Sequence, residues 1–283
     1  MTKAKWIMSN LGHRDNIDNL YYAIKEIGRE CEILNLEEIS NLCYEMNENK
    51  ECFITRGSIW TNIILKQYNP NWTGNCHCKK DFLCSSYYSY WGEYLTQKNY
   101  VFMPFSELLR KHEWLYEILG KDDVLFIRPD SGEKEFTGEL VHKNMFNNWR
   151  DTVLNIFENS NVKKNIMCVI SSPVDVFNEY RLLVVNDKPV AGSSYRIAKH
   201  IHHECIDPEK DKEIFEFAEE VIKNKNTDLP PFYVLDIAQD SKGDKSVIEV
   251  GCFCCCGLYN MDYRIVAKTV SECVENLFNS SDF

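Results

Sequence analysis

The chain of 283 residues is long enough for one large domain or two modest ones, and its 44% hydrophobic and 13% aromatic residues indicate a folded protein. Its formal net charge of −11 argues against a protein whose main task is to bind a nucleic-acid backbone, because phosphate binding normally needs a basic surface. No run of about 18 apolar residues occurs and the N-terminus lacks the apolar core of a signal peptide. We therefore expect a cytoplasmic protein without membrane spans, whose 13 cysteines are mostly reduced.

Short apolar runs alternate with one amphipathic pattern in the first third of the chain. The runs KWIMSN, CEILNL and ECFITRGS are typical of strands, and NIDNLYYAIKEIG is typical of a helix that ends at Gly28. Strands that alternate with helices predict a small parallel α/β domain over residues 1–85, followed by a second domain over residues 86–283. An aromatic run after this boundary would pack the junction between the two domains; it comprises Tyr87, Tyr88, Tyr90 and Trp91.

The second domain is predicted to combine strands, helices and two hairpins. Its strands YVFMPF, DVLFIRPD and IMCVISSP are separated by the helices SELLRKHEWLYEILG and NMFNNWRDTVLNIFENS. One hairpin, EYRLLVVNDKPVAGSSYR, would turn at Asn186 and Asp187. The other, FYVLDIAQDSKGDKSVIEVG, would turn near Gly243, and the helix DKEIFEFAEEVIKNK lies between the two hairpins. The histidine-rich segment KHIHHEC is expected to be an exposed loop.

Two carboxylates in the last hairpin are the most informative residues of the sequence. Antiparallel pairing around the turn would bring Asp236 and Glu249 to nearly opposite positions on one face. Each lies in an apolar run, where two like charges repel unless something cationic sits between them. Oxygen ligands at this spacing suit Mg²⁺ with nucleotide phosphates completing the coordination. The alternative is that one of the two points to solvent or forms a salt bridge with a neighbour.

Four cationic residues lie on or beside strands of the same domain. Arginines inside apolar runs are costly unless they face an anion, and a guanidinium matches phosphate or carboxylate oxygens. The glycine-bounded loop DSGEKEFTG could close over phosphates with its backbone N–H groups, although it lacks the Walker spacing of a P-loop. The four residues are Arg128, Lys134, Arg181 and Arg196.

The order of these parts resembles the ATP-grasp superfamily over about residues 100–265. The segments are FIRPDSGEKEFTG, then VISSPVDVFNEYRLLVVNDKPVAGSSYR, then YVLDIAQDSKGDKSVIEVG. The chain looks most like the branch found in phages and other viruses, in which arginine stands where most members have a strand lysine. The resemblance implies an α/β (α+β) ATP-grasp fold, in which two β-rich subdomains clamp ATP, preceded by the small parallel α/β domain.

The resemblance also implies roles for individual residues. Arg128 matches the strand base that contacts phosphate, and Lys134 matches the loop lysine. Asp236 and Glu249 match the Mg²⁺ ligands, whereas Gly251 departs from the pattern, since many members have asparagine there as a third metal ligand. Other matched nucleotide-binding positions are Cys168, Val169, Ile170 and Ser171, in the hinge strand whose backbone would bind adenine, and the acidic and basic pair Glu179 and Arg181 of the following strand.

These matches imply an ATP-dependent ligase that joins a carboxylate to an amine through an acyl phosphate and so forms a C–N bond. ATP and Mg²⁺ would be the cofactors, and small-molecule or peptide carboxylates and amines the substrates. Arg128, Lys134, Arg181 and Arg196 would offset the developing negative charge. Two other functions stay open: Gly251 favours a non-catalytic nucleotide-binding or regulatory protein, and the same residues would serve a phosphotransferase acting on a small-molecule hydroxyl.

Four cysteines in GCFCCCGLY directly follow the second carboxylate strand. Their side chains would pack beneath the site or line the acceptor pocket, and a reactive or substrate-touching thiol is a second interpretation. Zinc is a third, but adjacent residues point in different directions and the two-residue spacer of a zinc knuckle is missing. The segment CHC with Cys84 beyond it is a better zinc candidate. The four cysteines are Cys252, Cys254, Cys255 and Cys256.

Overall fold

In the computed structural model, the strands of the described residues form three sheets. Among the described residues, no helix is both long and apolar enough to cross a membrane. The described residues are 2–9, 17–35, 37–39, 41–42, 52–59, 61–62, 79–133, 135–159, 165–224 and 229–280.

The N-terminal sheet is parallel, as the sequence predicts. Its strands are β1 (Lys5–Ser9), β2 (Glu30–Leu34) and β3 (Phe53–Arg56), in the order β2-β1-β3. Helix α1 (Ile17–Glu26) lies between β1 and β2 in the chain, and Gly28 follows it with a φ of 69°, which a residue without a side chain adopts at little cost.

Helix α2 lies between the two sheets of the second domain. It spans Cys84–Trp91, and its aromatic side chains Tyr87, Tyr88 and Trp91 are fully buried in one apolar cluster with residues of both sheets. These three aromatics therefore pack between two sheets of the predicted second domain and not at its junction with the N-terminal domain, and Tyr90 is exposed. The predicted boundary between residues 1–85 and 86–283 falls inside this helix and stays a prediction.

A four-stranded antiparallel sheet follows α2, and we call it the small sheet. Two helices pack on one of its faces, where they bury Phe105, Leu115, Trp149, Ile127 and Ile170 in a single core. Its strands are β4 (Tyr100–Pro104), β5 (Val124–Pro129), β6 (Glu139–His142) and β7 (Met167–Ser171), in the order β4-β7-β5-β6, and its helices are α3 (Phe105–Ile118) and α4 (Phe146–Glu158).

A five-stranded antiparallel sheet, the large sheet, completes the fold with two further helices. Its hairpins turn where the sequence predicts, at Asn186 and Asp187, which have φ values of 47° and 61°, and at Gly243, which has a φ of 95°. The elements are β8 (Asn178–Val185), β9 (Lys188–Ile197), β10 (His200–Ile206), α5 (Lys212–Lys223), β11 (Phe232–Gln239), β12 (Lys245–Gly251) and α6 (Tyr263–Ser280), with strand order β10-β9-β8-β11-β12.

Strand β10 corrects one expectation of the sequence analysis. The segment KHIHHEC is not a loop, because most of it pairs with β9 as the edge strand of the large sheet. Its side chains are exposed as far as Cys205, so the strand carries no alternation of apolar and polar residues by which it could be predicted.

The N-terminal sheet shares a core with the large sheet and α6. Trp6 of β1 is completely buried there, and its indole N–H donates to the Oγ of Ser271 of α6 at 2.9 Å. This packing holds the end of β3 against the segment that follows β12, which is where the candidate site lies.

Candidate active site

Three charged residues stand side by side on adjacent strands of the large sheet. Asp236 of β11 is paired in register with Arg181 of β8 on one side and with Glu249 of β12 on the other. The predicted juxtaposition of Asp236 and Glu249 is confirmed. The register between β11 and β12 shifts just after this pair, so that Val247 lies opposite Ile237.

Arg181 and Asp236 form a two-pronged ion pair in the interior. The Nε of Arg181 donates to Oδ1 of Asp236 at 2.7 Å and its Nη2 donates to Oδ2 at 2.6 Å. Their side chains are only 7% and 2% exposed. Burial alone would lower the pKa of the Arg181 guanidinium, but the charge and hydrogen bonds of Asp236 outweigh it and raise that pKa above its ordinary value. Arg181 therefore stays charged.

Arg128 makes the second ion pair and links the two sheets. From β5 of the small sheet, its Nη2 donates to Oε2 of Glu249 in the large sheet at 2.7 Å. Burial opposes its charge, but coulombic interactions with Cys84 and Glu249 raise the pKa of the guanidinium above its ordinary value. Glu249 also lies 3.9 Å from Nη2 of Arg181, so both arginines share its neighbourhood.

Two neighbouring carboxylates need positive charge beside them, and Arg128 and Arg181 supply it here. Oxygen donors on adjacent strands are the ligands that Mg²⁺ prefers, so the donor chemistry of Asp236 and Glu249 fits that ion. Both oxygens of Asp236, however, accept from Arg181, and Oε2 of Glu249 accepts from Arg128. A metal ion at this position would compete with the two guanidinium groups for these carboxylate oxygens.

Two aromatic rings stack beside Arg181. The rings of Tyr195 and Tyr259 stack with their centroids 5.0 Å apart and an angle of 28° between their planes. The guanidinium carbon of Arg181 is 5.0 Å from the Tyr259 centroid and 5.7 Å from that of Tyr195. His203 of β10 packs on the outer side of Tyr259 at 4.9 Å. The sequence analysis missed this stack, because its members come from three distant segments.

Arg196 and Glu179 pair with each other at the rim. Nη1 of Arg196 lies 2.8 Å from Oε1 of Glu179, and the arginine side chain is 46% exposed. Glu179 is two residues before Arg181 on β8, which places both on one face of the strand. The structure therefore brings this pair next to the buried ion pairs without burying it.

The predicted hinge strand and loop lysine are not part of the ion-paired cluster. Strand β7 is paired with β4 on one side and β5 on the other, so the backbone groups of Cys168, Val169 and Ile170 are engaged in the sheet. Hydrogen bonds from them to a base would require those pairs to open. Ser171 is paired in the same register, with Tyr100 of β4 and Phe126 of β5, so all four predicted base-contacting residues lie within the sheet. Lys134 lies outside the described residues.

Arg56 is a further buried cation that the sequence analysis overlooked. It ends β3, is only 3% exposed, and donates to the carbonyl oxygens of Phe253 and Cys256 at 2.7 and 2.5 Å. The reasoning applied to Arg128, that an arginine within an apolar run must face an anion or acceptor, would have found it in ECFITRGS. Together with the bond from the Gly57 N–H to the carbonyl of Cys254 at 2.7 Å, it fastens the cysteine segment to the N-terminal sheet.

The cysteine segment forms a short 3₁₀ helix over Phe253–Cys255. The prediction that its side chains diverge is only partly confirmed. Cys256 turns towards Nη1 of Arg56 at 3.8 Å, whereas the sulfur atoms of Cys252, Cys254 and Cys255 all lie within 4.8 Å of one another. The other zinc candidate, Cys76–Cys78, lies outside the described residues, although Cys84 is described and buried.

A separate cleft of about 560 Å³ opens where β7 ends. Its walls include Asn99, Lys121, Ser172, Asp175 and Asp244. None of the four residues in the Arg128 and Arg181 ion pairs lines it, so it does not coincide with the charged site.

Two antiparallel sheets linked by the Arg128–Glu249 pair, with a second arginine–carboxylate pair inside the large sheet, form the fold of an ATP-grasp protein. It belongs to the family described as ATP-grasp domain, R-2-K clade family 2, which matches residues 101–269. No curated protein matches the sequence.

Solved structures agree with this fold at low sequence identity. D-cycloserine synthetase DcsG is 11% identical with a TM-score of 0.63, and the match covers 96% of this chain and 99% of that chain. D-alanine–D-alanine ligase from Bacillus anthracis complexed with ATP is 13% identical with a TM-score of 0.60, over 100% of both chains. The ATP-grasp ligase PsnB complexed with its minimal precursor is 9% identical with a TM-score of 0.53, over 95% of this chain and 98% of that chain.

Proposed function

We propose that this protein is an ATP-dependent ligase that joins a carboxylate to an amine through an acyl phosphate. The observation that carries the proposal is the pair of buried arginines, Arg128 and Arg181, held against two carboxylates on adjacent strands. The structural relatives support it, since two are ligases by name and one of these was solved with ATP. A cytoplasmic setting and kinship with the phage and viral branch stay predictions from the sequence.

Nucleotide binding would exchange the partners of the two arginines. Arg128 would leave Glu249 for phosphate oxygens, and Arg181 would share its charge between Asp236 and the phosphates. The guanidinium fork matches either anion, so each arginine keeps a partner throughout. Asp236 and Glu249 would hold Mg²⁺, which would supply positive charge to offset that of the phosphates. The base would contact the chain just beyond Ser171, where the pairing of β7 with β4 and β5 ends.

The chemistry then needs positioned charges rather than a covalent nucleophile. A substrate carboxylate oxygen attacks the γ-phosphorus, the bond to the β–γ bridging oxygen breaks, and ADP leaves. Arg128 and Arg181 offset the charge that spreads over the γ-phosphoryl oxygens. The amine then attacks the acyl carbon, phosphate leaves, and the amine proton passes to solvent. Lys134 and the rim residue Arg196 are further candidates for contacting the anions.

The acceptor substrates would lie beside the aromatic stack. The rings of Tyr195 and Tyr259 offer flat apolar faces, and Arg181 places a positive charge beside them. This combination suits a small molecule or peptide that carries a carboxylate. The cysteine segment and Arg56 form the neighbouring wall.

One observation favours a non-catalytic nucleotide-binding protein instead. Gly251 supplies no third metal ligand, and a Cβ at this position would lie 3.0 Å from Cγ2 of Val234. Its neighbour therefore leaves little room for the asparagine of other members. Metal held by two protein carboxylates alone would bind more weakly.

The experiment that separates these functions measures ADP release with Mg²⁺, ATP and a panel of amino acids and peptides, with hydroxylamine added to trap acyl phosphates as hydroxamates. A ligase gives carboxylate-dependent ADP and hydroxamate, both lost in Glu249→Gln. Glu107→Gln, in an exposed ion pair of α3, is the matched control and should keep both activities. ADP without hydroxamate would indicate a phosphotransferase. Nucleotide binding without ADP release for any acceptor would indicate the regulatory alternative.

A further inference from the structure

The three converging thiols lie on the inner side of the segment after β12. Cys252 is the extended residue that precedes the 3₁₀ helix Phe253–Cys255, and Cys255 is the last residue of that helix. Cys254 lies beside them, and its Sγ is 2.8 Å from that of Cys252. Cys252 and Cys254 are buried and Cys255 is half-buried, so bulk water has limited access to the cluster.

The three sulfurs are close enough to serve one ion. All of them lie within 4.8 Å of one another, and among the described cysteines none forms a disulfide. Three thiols grouped in this way can bind a single ion after small movements of their side chains.

The backbone around the thiols is fixed before any ligand arrives. Arg56 holds the carbonyls of Phe253 and Cys256, and the Gly57 N–H holds that of Cys254. These bonds engage three carbonyls of the segment, while Cys252, Cys254 and Cys255 pack with the apolar cluster around α2. Such prior ordering reduces the entropy that a ligand must otherwise overcome.

We propose that Cys252, Cys254 and Cys255 bind one thiophilic closed-shell metal ion of the class of zinc(II) or copper(I). Thiolates are the ligands that select these ions, and a three-coordinate site accepts copper(I) directly or zinc(II) with water as fourth ligand. Metal–sulfur bonds of about 2.3 Å separate the sulfurs by about 3.8–4.0 Å, so one of the closest pair must move by about 1 Å. The whole set already lies within 4.8 Å.

The ion would stabilise the segment that connects the large sheet to the N-terminal sheet. The first of its ligands, Cys252, is three residues after Glu249. Burial raises the pKa of the Cys252 and Cys254 thiols above their ordinary range, so the cluster is protonated until metal displaces the protons to solvent. This site is distinct from the proposed Mg²⁺ carboxylates and does not rest on the ligase proposal.

The test uses the full chain, reduced and free of oxygen, equilibrated with zinc(II) or copper(I) at equal free concentrations set by chelators. Elemental analysis should find about one ion per chain, and X-ray absorption at the metal edge should show three sulfur neighbours at about 2.3 Å. Serine at Cys252, Cys254 or Cys255 should remove the ion. Cys256→Ser is the matched control from the same segment and should retain it. Whichever ion remains at equilibrium identifies the metal.

A second measurement uses the unmutated protein, so the proposal can be tested even if the serine variants fail to fold. Bound metal should protect the three thiols from alkylation, mapped by mass spectrometry, while the exposed Cys205 reacts equally with and without metal. Absence of both metal uptake and protection would overturn the proposal. So would equal metal loss in Cys256→Ser, or a Cys252–Cys254 disulfide in the reduced protein. Retained Mg·ATP binding in metal-free serine variants would show that the two sites are independent.

Discussion

Replacing Asp236 by asparagine should destabilise the fold, because it leaves the buried guanidinium of Arg181 without its negative partner. Arg181 is 7% exposed and makes both side-chain hydrogen bonds of the pair to this one carboxylate. Breaking a buried pair by removing one partner costs about 3–5 kcal/mol in the free energy of unfolding. For 283 residues, an unfolding entropy of about 2.1 cal/mol/K per residue converts this into a fall in Tm of about 5–8 °C.

The assay is urea unfolding followed by circular dichroism and by tryptophan fluorescence, with Tm from calorimetry. Glu107→Gln removes an exposed pair and should cost less than about 1 kcal/mol. Replacing the whole pair, Arg181→Met with Asp236→Leu, should recover much of the loss, because no charge is left buried. Like-charge repulsion between Asp236 and Glu249, which the sequence alone suggests, predicts the opposite sign. Unchanged or higher stability of Asp236→Asn would therefore refute the ion-pair account.

Three further predictions follow from the same geometry. Glu249→Gln, at a side chain 17% exposed, should cost about 1–3 kcal/mol in urea unfolding, and a loss equal to that of Asp236→Asn would contradict the difference in burial. Gly251→Asn combined with Val234→Ala, which makes room for the new side chain, should lower the Mg²⁺ concentration needed for half-maximal ATP binding in calorimetry; an unchanged Mg²⁺ requirement would show that position 251 does not reach the metal. Burial raises the pKa of Cys168 to about 12, so unfolding releases its proton above about pH 8.5 and stability falls as pH rises towards 12. Urea unfolding of Cys168→Ala should accordingly lose about 2 kcal/mol less between pH 7.5 and pH 10 than the parent, and parallel pH profiles would contradict the buried thiol.

Local patterns predicted most of the fold. Turn residues located both hairpins, at Asn186 and Asp187 and at Gly243, and pairing around the second turn set Asp236 opposite Glu249. Such predictions succeed because strand register follows from the turn and the two-residue period of side chains.

The partners of these residues were not predictable in the same way. Arg128 and Glu249 are 121 positions apart in the chain, and their contact depends on how the small sheet packs against the large sheet. No local sequence pattern encodes that packing. The stack of Tyr195 and Tyr259 likewise joins strand β9 to the segment before α6. The convergence of Cys252, Cys254 and Cys255 depends on a single 3₁₀ turn, whereas extended backbone would have directed adjacent side chains apart.

The central claim is that the arginines paired with Asp236 and Glu249 bind the phosphates of ATP. Titration calorimetry of Mg·ATP against the parent, Arg128→Ala and Arg128→Lys tests it, with folding checked by circular dichroism. We predict one Mg·ATP per chain, affinity at least tenfold weaker in Arg128→Ala, which is about 1.4 kcal/mol, and a smaller loss in Arg128→Lys, since lysine keeps the charge without the fork. Equal Kd values for all three folded proteins would contradict the account and leave Arg128 as a structural partner of Glu249 alone.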